Sequence, residues 1–293
     1  MVATRLKYNL ANGTHYIDLA KDLSSYHRKL HRQKQVYTVY GGFMRNNAGT
    51  SAKFNVAPLT WTSKTAVNRT FKIWRKMISS TLKNKPGLKT GKWNDFKIYL
   101  DGIHPGFQAT SVDANNQPIS SGEWDYSTLT QPQLIDPDGD GGLEFDGNAD
   151  QWEVHIVGNH IGAAPNYARV GLIRSWTESR APPASAGEPL NVPNPLDPLS
   201  NMFAVEDNNE EKVIVIEGEG DLPPYNRTIP YGFNDLALAP VSIADNDASA
   251  NTTALGSSVH GFQALCGLVQ VVVTADSGSA EIYLDVESQG ESF

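Results

Sequence analysis

Apolar and polar residues alternate in short runs along much of the chain, and clusters of turn-forming residues separate these runs. A period of two is typical of β-strands that have one buried face and one solvated face. The clearest run is the last, in which Ile282, Leu284 and Val286 alternate with polar residues. The pattern predicts an all-β protein with strands near 35–44, 53–61, 95–100, 107–112, 122–129, 151–157, 168–176, 202–205, 212–217, 226–231, 236–243, 262–274 and 280–287.

Two segments in the first hundred residues have helical spacing instead. After an extended arm over residues 1–13, Thr14 is the expected N-cap of an amphipathic helix that ends near Arg32. A second helix is expected over about 65–82, since its apolar residues fall three and four positions apart on one stripe. That stripe consists of Val67, Phe71, Trp74, Ile78 and Leu82. The prediction is therefore an all-β body with an N-terminal amphipathic helix and one further helix.

Charge is distributed very unevenly along the chain. Residues 1–100 contain 19 Lys and Arg against three acids, a formal charge of +16, whereas the other 193 residues contain five against 29, a formal charge of −24. Phosphate groups, in nucleic acid or on a membrane surface, are natural partners for the basic part. The residues expected to face such a partner are Lys21, Arg28, Lys29, Arg32 and Lys34. An ordinary solvated helix face explains the same residues without a partner, and both interpretations stay open.

A proline-rich stretch divides the second half of the chain. Six of the 17 prolines lie in residues 181–200, which predicts an interdomain connection or a long ordered surface loop. We therefore expect an arm and basic helix over 1–34, a first β domain over 35–176, and the connection with a second β domain over 177–293. The apolar runs are shorter than the ~20 residues of a membrane helix, and the N-terminus lacks the apolar core of a signal peptide. The single cysteine, Cys266, is expected to be a buried apolar side chain.

The sharpest local motif is an acidic, glycine-rich segment over residues 136–147. Its oxygen-bearing side chains at positions 1, 3, 5 and 9 follow the spacing of a calcium-binding loop. These candidate ligands are Asp136, Asp138, Asp140 and Glu144. The twelfth position is Gly147 instead of the bidentate glutamate, and no helical pattern flanks the segment. A Ca²⁺ site and a plain acidic turn are both consistent with it.

Sequence signatures of catalysis are missing. The chain has no GxSxG, no P-loop, no GxGxxG and no HExxH pattern. We therefore expect a protein that is not an enzyme and requires no cofactor. Two alternatives stay open: a calcium-dependent carbohydrate-binding or hydrolytic β-sandwich, with Trp124, Tyr126 and Trp152 as the sugar platform, and a nucleic-acid-binding protein unrelated to any shell.

Several segments together resemble the jelly-roll major capsid proteins of small icosahedral DNA viruses. The likeness lies in YIDLAKDLSSYHRKLHRQKQVYTVYGG, TAVNRTFKIWRKMI leading to WNDFKIYLD, EGEGDLPPY and HGFQALCGLVQVVV. It is strongest to the compact double jelly-roll type of bacteriophages with an internal membrane, and one elaborated jelly roll is the alternative. The resemblance implies a structural virion protein, made in the host cytoplasm, that forms trimers and an icosahedral shell. Its partners would be further copies of itself, other capsid proteins, and the genome or internal membrane that its basic part faces.

Overall fold

The computed structural model describes residues 3–45, 50–84, 87, 89–119, 122–135, 144–162, 167–179, 237–246, 256–275 and 279–287. Within these ranges the chain is built mainly of β-strands in three four-stranded sheets. Residues 1–176 and 235–293 form one compact unit, and residues 177–234 form another, of which only 177–179 are described. The strands predicted near 202–205, 212–217 and 226–231 therefore lie outside the described residues.

The elements follow one another in this order along the chain. The strands are β1 (Ala3–Ala11), β2 (Gly13–Asp18), β3 (Val36–Arg45), β4 (Thr50–Val56), β5 (Thr128–Ile135), β6 (Glu144–His155), β7 (Ile161–Gly162), β8 (Tyr167–Gly171), β9 (Ala239–Asn246), β10 (Gly256–Leu265), β11 (Leu268–Ala275) and β12 (Ser279–Glu287). The α-helices are α1 (Leu19–His27), α2 (Trp61–Asn84) and α3 (Leu172–Glu178).

Two antiparallel sheets are formed by the first four and the last four strands. Their strand orders are β1-β12-β3-β10 and β2-β11-β4-β9. Strand β1 pairs with β12, β2 with β11, β3 with β10 and β4 with β9. The two ends of the compact unit are thus wound together like one long hairpin that is folded over on itself. The remaining strands, β5 to β8, form a third sheet inside the long connection between β4 and β9.

One apolar core fills the space between these two four-stranded sheets. The alternating residues Leu6, Tyr8 and Leu10 of β1 are buried, and so are Ile282, Leu284 and Val286 of β12. The predicted alternation of the last strand is therefore confirmed. Helix α2 packs through Val67 and Trp74 into a second core cluster, and the predicted helix over 65–82 is confirmed with a longer extent.

Strands β1 and β2 each lie at the edge of a sheet, and the segment 107–119 covers both edges. This segment was expected to include a strand. The backbone N–H of Val112 donates to the carbonyl of Lys7 in β1, and the N–H of Tyr16 in β2 donates to the carbonyl of Phe107. Only isolated bridges form here, with β1, with β2 and between Val112 and Pro118. This covering satisfies edge groups that could otherwise pair with another chain.

Several sequence predictions need correction. The arm over 1–13 is mainly strand β1, and the helix expected over 14–32 is strand β2 followed by the shorter α1. The helix begins later than predicted because Asp18, not Thr14, is its N-cap: the Asp18 side chain accepts a hydrogen bond from the N–H of Lys21. It ends earlier because the backbone of Arg28 adopts a left-handed conformation. Residues 172–176 were expected in a strand and lie in α3.

The predicted domain boundaries do not coincide with the observed grouping. Strands from 3–18, 36–56 and 239–287, which the prediction divided among three regions, occur in the same two sheets. Charge differs sharply between these segments, but strand pairing is determined by the apolar face that each strand buries. Oppositely charged segments can therefore be neighbours, as the ion pair between Arg5 and Asp285 across β1 and β12 shows.

Candidate polyanion-binding surface

The three acids of the first hundred residues are shielded, so they offset few of the exposed cations there. Asp18 and Asp22 are buried at 3% and 1% exposure. Asp95 is partly buried, and one of its oxygens lies 3.7 Å from the Arg32 guanidinium. The cations of this region are therefore matched by very little exposed negative charge of their own.

Asp18 joins α1 to two other parts of the chain. Besides capping the helix, its carboxylate accepts from Gln33 Nε2 at 2.7 Å and from Trp124 Nε1 at 3.0 Å. Burial raises the pKa of Asp18 to about 6, and these donors oppose the shift by stabilising the anion. The buried Gln33 side chain also accepts the N–H of Ile98 at 2.6 Å, so one polar network links α1, residues 96–98 and Trp124.

Asp22 lies one helical turn further along α1 and faces the sheet. Its carboxylate accepts the Tyr8 hydroxyl at 2.7 Å. Burial, assisted by the negative charge of Asp18, raises the pKa of Asp22 to about 7. Asp22 therefore attaches α1 to the sheet, and Asp18 attaches it to Gln33 and Trp124, while Arg28 and Lys29 in the following turn are exposed.

Those cationic side chains line a cleft of about 200 Å³, here called the α1 cleft. It lies between α1 with its following turn and the segments around residues 93–97 and 122–124. Its charged and aromatic lining comprises Lys21, Arg28, Lys29, Lys97, Trp93 and Trp124, together with the carboxylate of Glu123. Four cations against one carboxylate make this concavity attractive to anions.

The structure brings together three of the five predicted basic residues. Lys21, Arg28 and Lys29 line the α1 cleft. Arg32 instead lies beside Asp95, and the ammonium of Lys34 lies 4.6 Å from the centroid of the Phe71 ring. Since Phe71 belongs to α2, Lys34 lies beside that helix and not in the α1 cleft.

Helix α2 presents a second cationic surface, here called the α2 face. Its 24 residues include no acid. The side chains of Arg69, Lys72, Arg75, Lys76 and Lys83 are all exposed, on the side of the helix away from Val67 and Trp74. Within the described part of the chain, none of these five forms an ion pair with an acid.

The α1 cleft is also lined by Trp93, Lys97 and Trp124, of which the sequence analysis named only Trp124, as part of a sugar platform. These residues are far from α1 in sequence and share no motif with it. Only their packing in the folded chain reveals that they belong to the same cleft. Lys97 is only 6% exposed, and its ammonium lies 4.8 Å from the centroid of the Trp124 ring. Trp93, in contrast, is 59% exposed.

The alternative sugar platform is not a single exposed surface. Trp124 and Tyr126 are partly buried and face Asp18, with the Tyr126 hydroxyl 3.5 Å from its carboxylate, while Trp152 packs against the second core cluster. Asp136, Asp138 and Asp140 lie outside the described residues, and Glu144 begins β6. Among the residues that are described, no group of three or more His, Cys, Asp or Glu is placed to hold a metal ion.

Cys266 is buried, and burial raises the pKa of its thiol, as expected of an inert side chain. Among the helices in the described ranges, none has both the length and the apolar character needed to cross a membrane. Comparison of the chain with protein families, with curated proteins and with solved structures gives no match.

Proposed function

We propose that this chain is a structural capsid protein that self-assembles, as trimers, into an icosahedral virus shell. The observation that carries the proposal is the nested strand order β1-β12-β3-β10 and β2-β11-β4-β9. Eight antiparallel strands in two facing sheets, wound from both ends of the chain, are what a jelly roll requires. The jelly roll is a common building block of viral shells.

One elaborated jelly roll fits this chain better than two. The eight strands that share the apolar core include both the first and the last strand of the described chain. A second complete barrel would need eight further strands, whereas the described part of the long connection contributes the four strands β5 to β8. We therefore propose a single jelly roll whose connection between β4 and β9 holds α2 and the third sheet.

The charge distribution supports an inward-facing cationic surface. The cations of β1 are matched locally, since Arg5 pairs with Asp285 at 2.7 Å and Lys7 with Glu281 at 3.2 Å. The cations of the α1 cleft and the α2 face are left to interact with an external polyanion. In a shell that polyanion is the genome, or the headgroups of an internal membrane, and its attraction weakens as salt screens the charges.

Charge reversal in the α1 cleft tests this proposal. We expect Arg28→Glu with Lys29→Glu to abolish filled particles, because both side chains are exposed and the change replaces attraction of a polyanion with repulsion. Arg45→Glu with Lys53→Glu is the matched control, because it changes the charge equally at two exposed positions on β3 and β4. Particle yield on a density gradient, the absorbance ratio at 260 and 280 nm and circular dichroism are the measurements. Filled particles at the normal yield from the cleft variant contradict the inward-facing assignment.

A further inference from the structure

The α1 cleft combines two features that a simple electrostatic surface does not need. Cations line it on the side of α1, and tryptophan rings line it on the opposite side. A surface that only attracts a polyanion requires the first feature alone. The second feature therefore indicates a ligand that has flat apolar groups as well as negative charge.

Lys97 is the first indication that an anion belongs in the cleft. It is almost fully buried, yet within the described ranges no carboxylate lies at ion-pair distance from it. Its ammonium instead lies over the Trp124 ring, whose orientation is held by the hydrogen bond to Asp18. A buried cation normally has an anionic partner, and an anion in the cleft would provide one.

Trp93 is the second indication, since it leaves a large aromatic ring in solvent at the same cleft. More than half of its surface is exposed, although burying a side chain of this size is favourable. The ammonium of Lys92 lies 5.0 Å from the centroid of its ring. An exposed ring beside several cations is the arrangement on which nucleic-acid bases stack in single-strand-binding proteins.

The size of the cleft limits what it can take. At about 200 Å³ it is smaller than the 300–1,000 Å³ of ordinary small-molecule pockets, so it suits one part of an extended ligand. We infer that the α1 cleft binds single-stranded nucleic acid, with phosphates held by the cations of α1 and a base stacked on Trp93. This inference rests on the proposed function, in which the basic surface faces the genome, and it specifies the form of nucleic acid that this surface contacts.

A single strand fits the cleft better than a duplex or a membrane. Bases within a duplex are already stacked and cannot cover Trp93, whereas a single strand exposes its bases together with its phosphates. Lipid headgroups would satisfy the cations but supply no flat ring. The ring and the cations therefore make separate predictions, and each can be tested.

The test is fluorescence anisotropy of a labelled eight-nucleotide oligo-dT, with the full chain at low salt. Base stacking contributes about 1–3 kcal/mol per base, so we expect Trp93→Ala to weaken binding roughly 5- to 150-fold and Trp93→Phe to restore most of it. The slope of log K against log salt should not change in Trp93→Ala. In the double variant Arg28→Gln with Lys29→Gln the slope should become less negative by about 1.4, since each lost phosphate contact removes about 0.7 from its magnitude.

Matched controls separate stacking from charge. Arg75→Gln with Lys76→Gln removes two exposed cations of the α2 face and should leave the effect of Trp93→Ala unchanged. An eight-base-pair duplex and vesicles with an anionic lipid should bind the normal chain and Trp93→Ala equally well. The inference is overturned if Trp93→Ala binds oligo-dT normally, or if duplex or vesicles bind more tightly than the single strand at the same salt.

Failure of this inference can be told apart from failure of the proposed function. If particles form normally and Trp93→Ala binds oligo-dT as well as the normal chain does, the single-strand site is refuted and the proposed shell function stands. Trp93-dependent binding by a chain that never assembles supports the site and refutes the shell.

Discussion

Gln33 connects α1 to the segment that places Lys97 in the α1 cleft, and it allows a sharp test of that network. Its side chain is 1% exposed; Nε2 donates to Asp18, and Oε1 accepts from the N–H of Ile98. Gln33→Ala removes both bonds at once. The neighbouring groups are buried as well, so water does not easily replace the lost partner.

The magnitude follows from the two bonds. A buried N–H left without a partner costs about 1–3 kcal/mol, and a hydrogen bond to a charged group contributes about 1.5–3 kcal/mol. We therefore expect Gln33→Ala to lower the free energy of unfolding by about 2.5–6 kcal/mol, a large share of the 5–15 kcal/mol typical of a folded protein. Urea denaturation followed by circular dichroism measures this as a lower midpoint with an unchanged slope.

Gln108→Ala is the matched control, because its side chain accepts only an exposed bond from Lys21 at 3.3 Å. That change should cost less than about 0.5 kcal/mol. Gln33→Glu adds a second test: it keeps an acceptor for Ile98 but places a carboxyl group against Asp18, so its stability should drop more steeply with rising pH than that of the normal chain. A loss below 1 kcal/mol in Gln33→Ala would refute the role given to this network.

Two further substitutions test the buried side of α1 and the packing of the sheets. Burial raises the pKa of Asp22 to about 7, so this group keeps a proton in the folded chain that the unfolded chain loses near pH 4. The free energy of unfolding should therefore fall as pH rises from about 4 through 7. Denaturation across this range should show a smaller fall in Asp22→Asn, and an unchanged profile would contradict the assignment. Gly42→Ala should prevent folding or lower the free energy of unfolding by more than about 3 kcal/mol in urea titration, because its Cβ would lie 1.9 Å from the Tyr283 carbonyl oxygen. Gly256→Ala is the control: its Cβ would have its nearest atom at 3.6 Å, so the loss of stability should be far smaller. Equal losses in these two variants would contradict the packing described.

The parts of the fold that the sequence predicts are those with a strong local period. The stripe of α2 and the alternation of β12 could be read directly, because each element buries one face. Strand β1 shows the same alternation at Leu6, Tyr8 and Leu10, but the prediction did not use it and treated the segment as an extended arm. The end of α1 was misplaced because apolar spacing continued past His27, where the backbone of Arg28 turns left-handed.

The candidate site could be predicted only in part. Lys21, Arg28 and Lys29 are close in sequence, and their charge alone identifies them. Trp93 and Trp124 join them only because the segments around them pack beside α1, and that contact depends on the buried bonds of Asp18. A buried carboxylate that binds a distant indole has no signature in sequence, since its partners are selected by the fold.

Light scattering behind size-exclusion chromatography on the purified chain, with negative-stain images of each peak, tests the central claim most directly. The chain has a mass of 31.9 kDa, so the account predicts a species three times that mass, closed particles, or both, with particles favoured by added polyanion at low salt. A monomer at every protein and salt concentration, with or without single-stranded DNA, would contradict the proposal that this protein builds a shell.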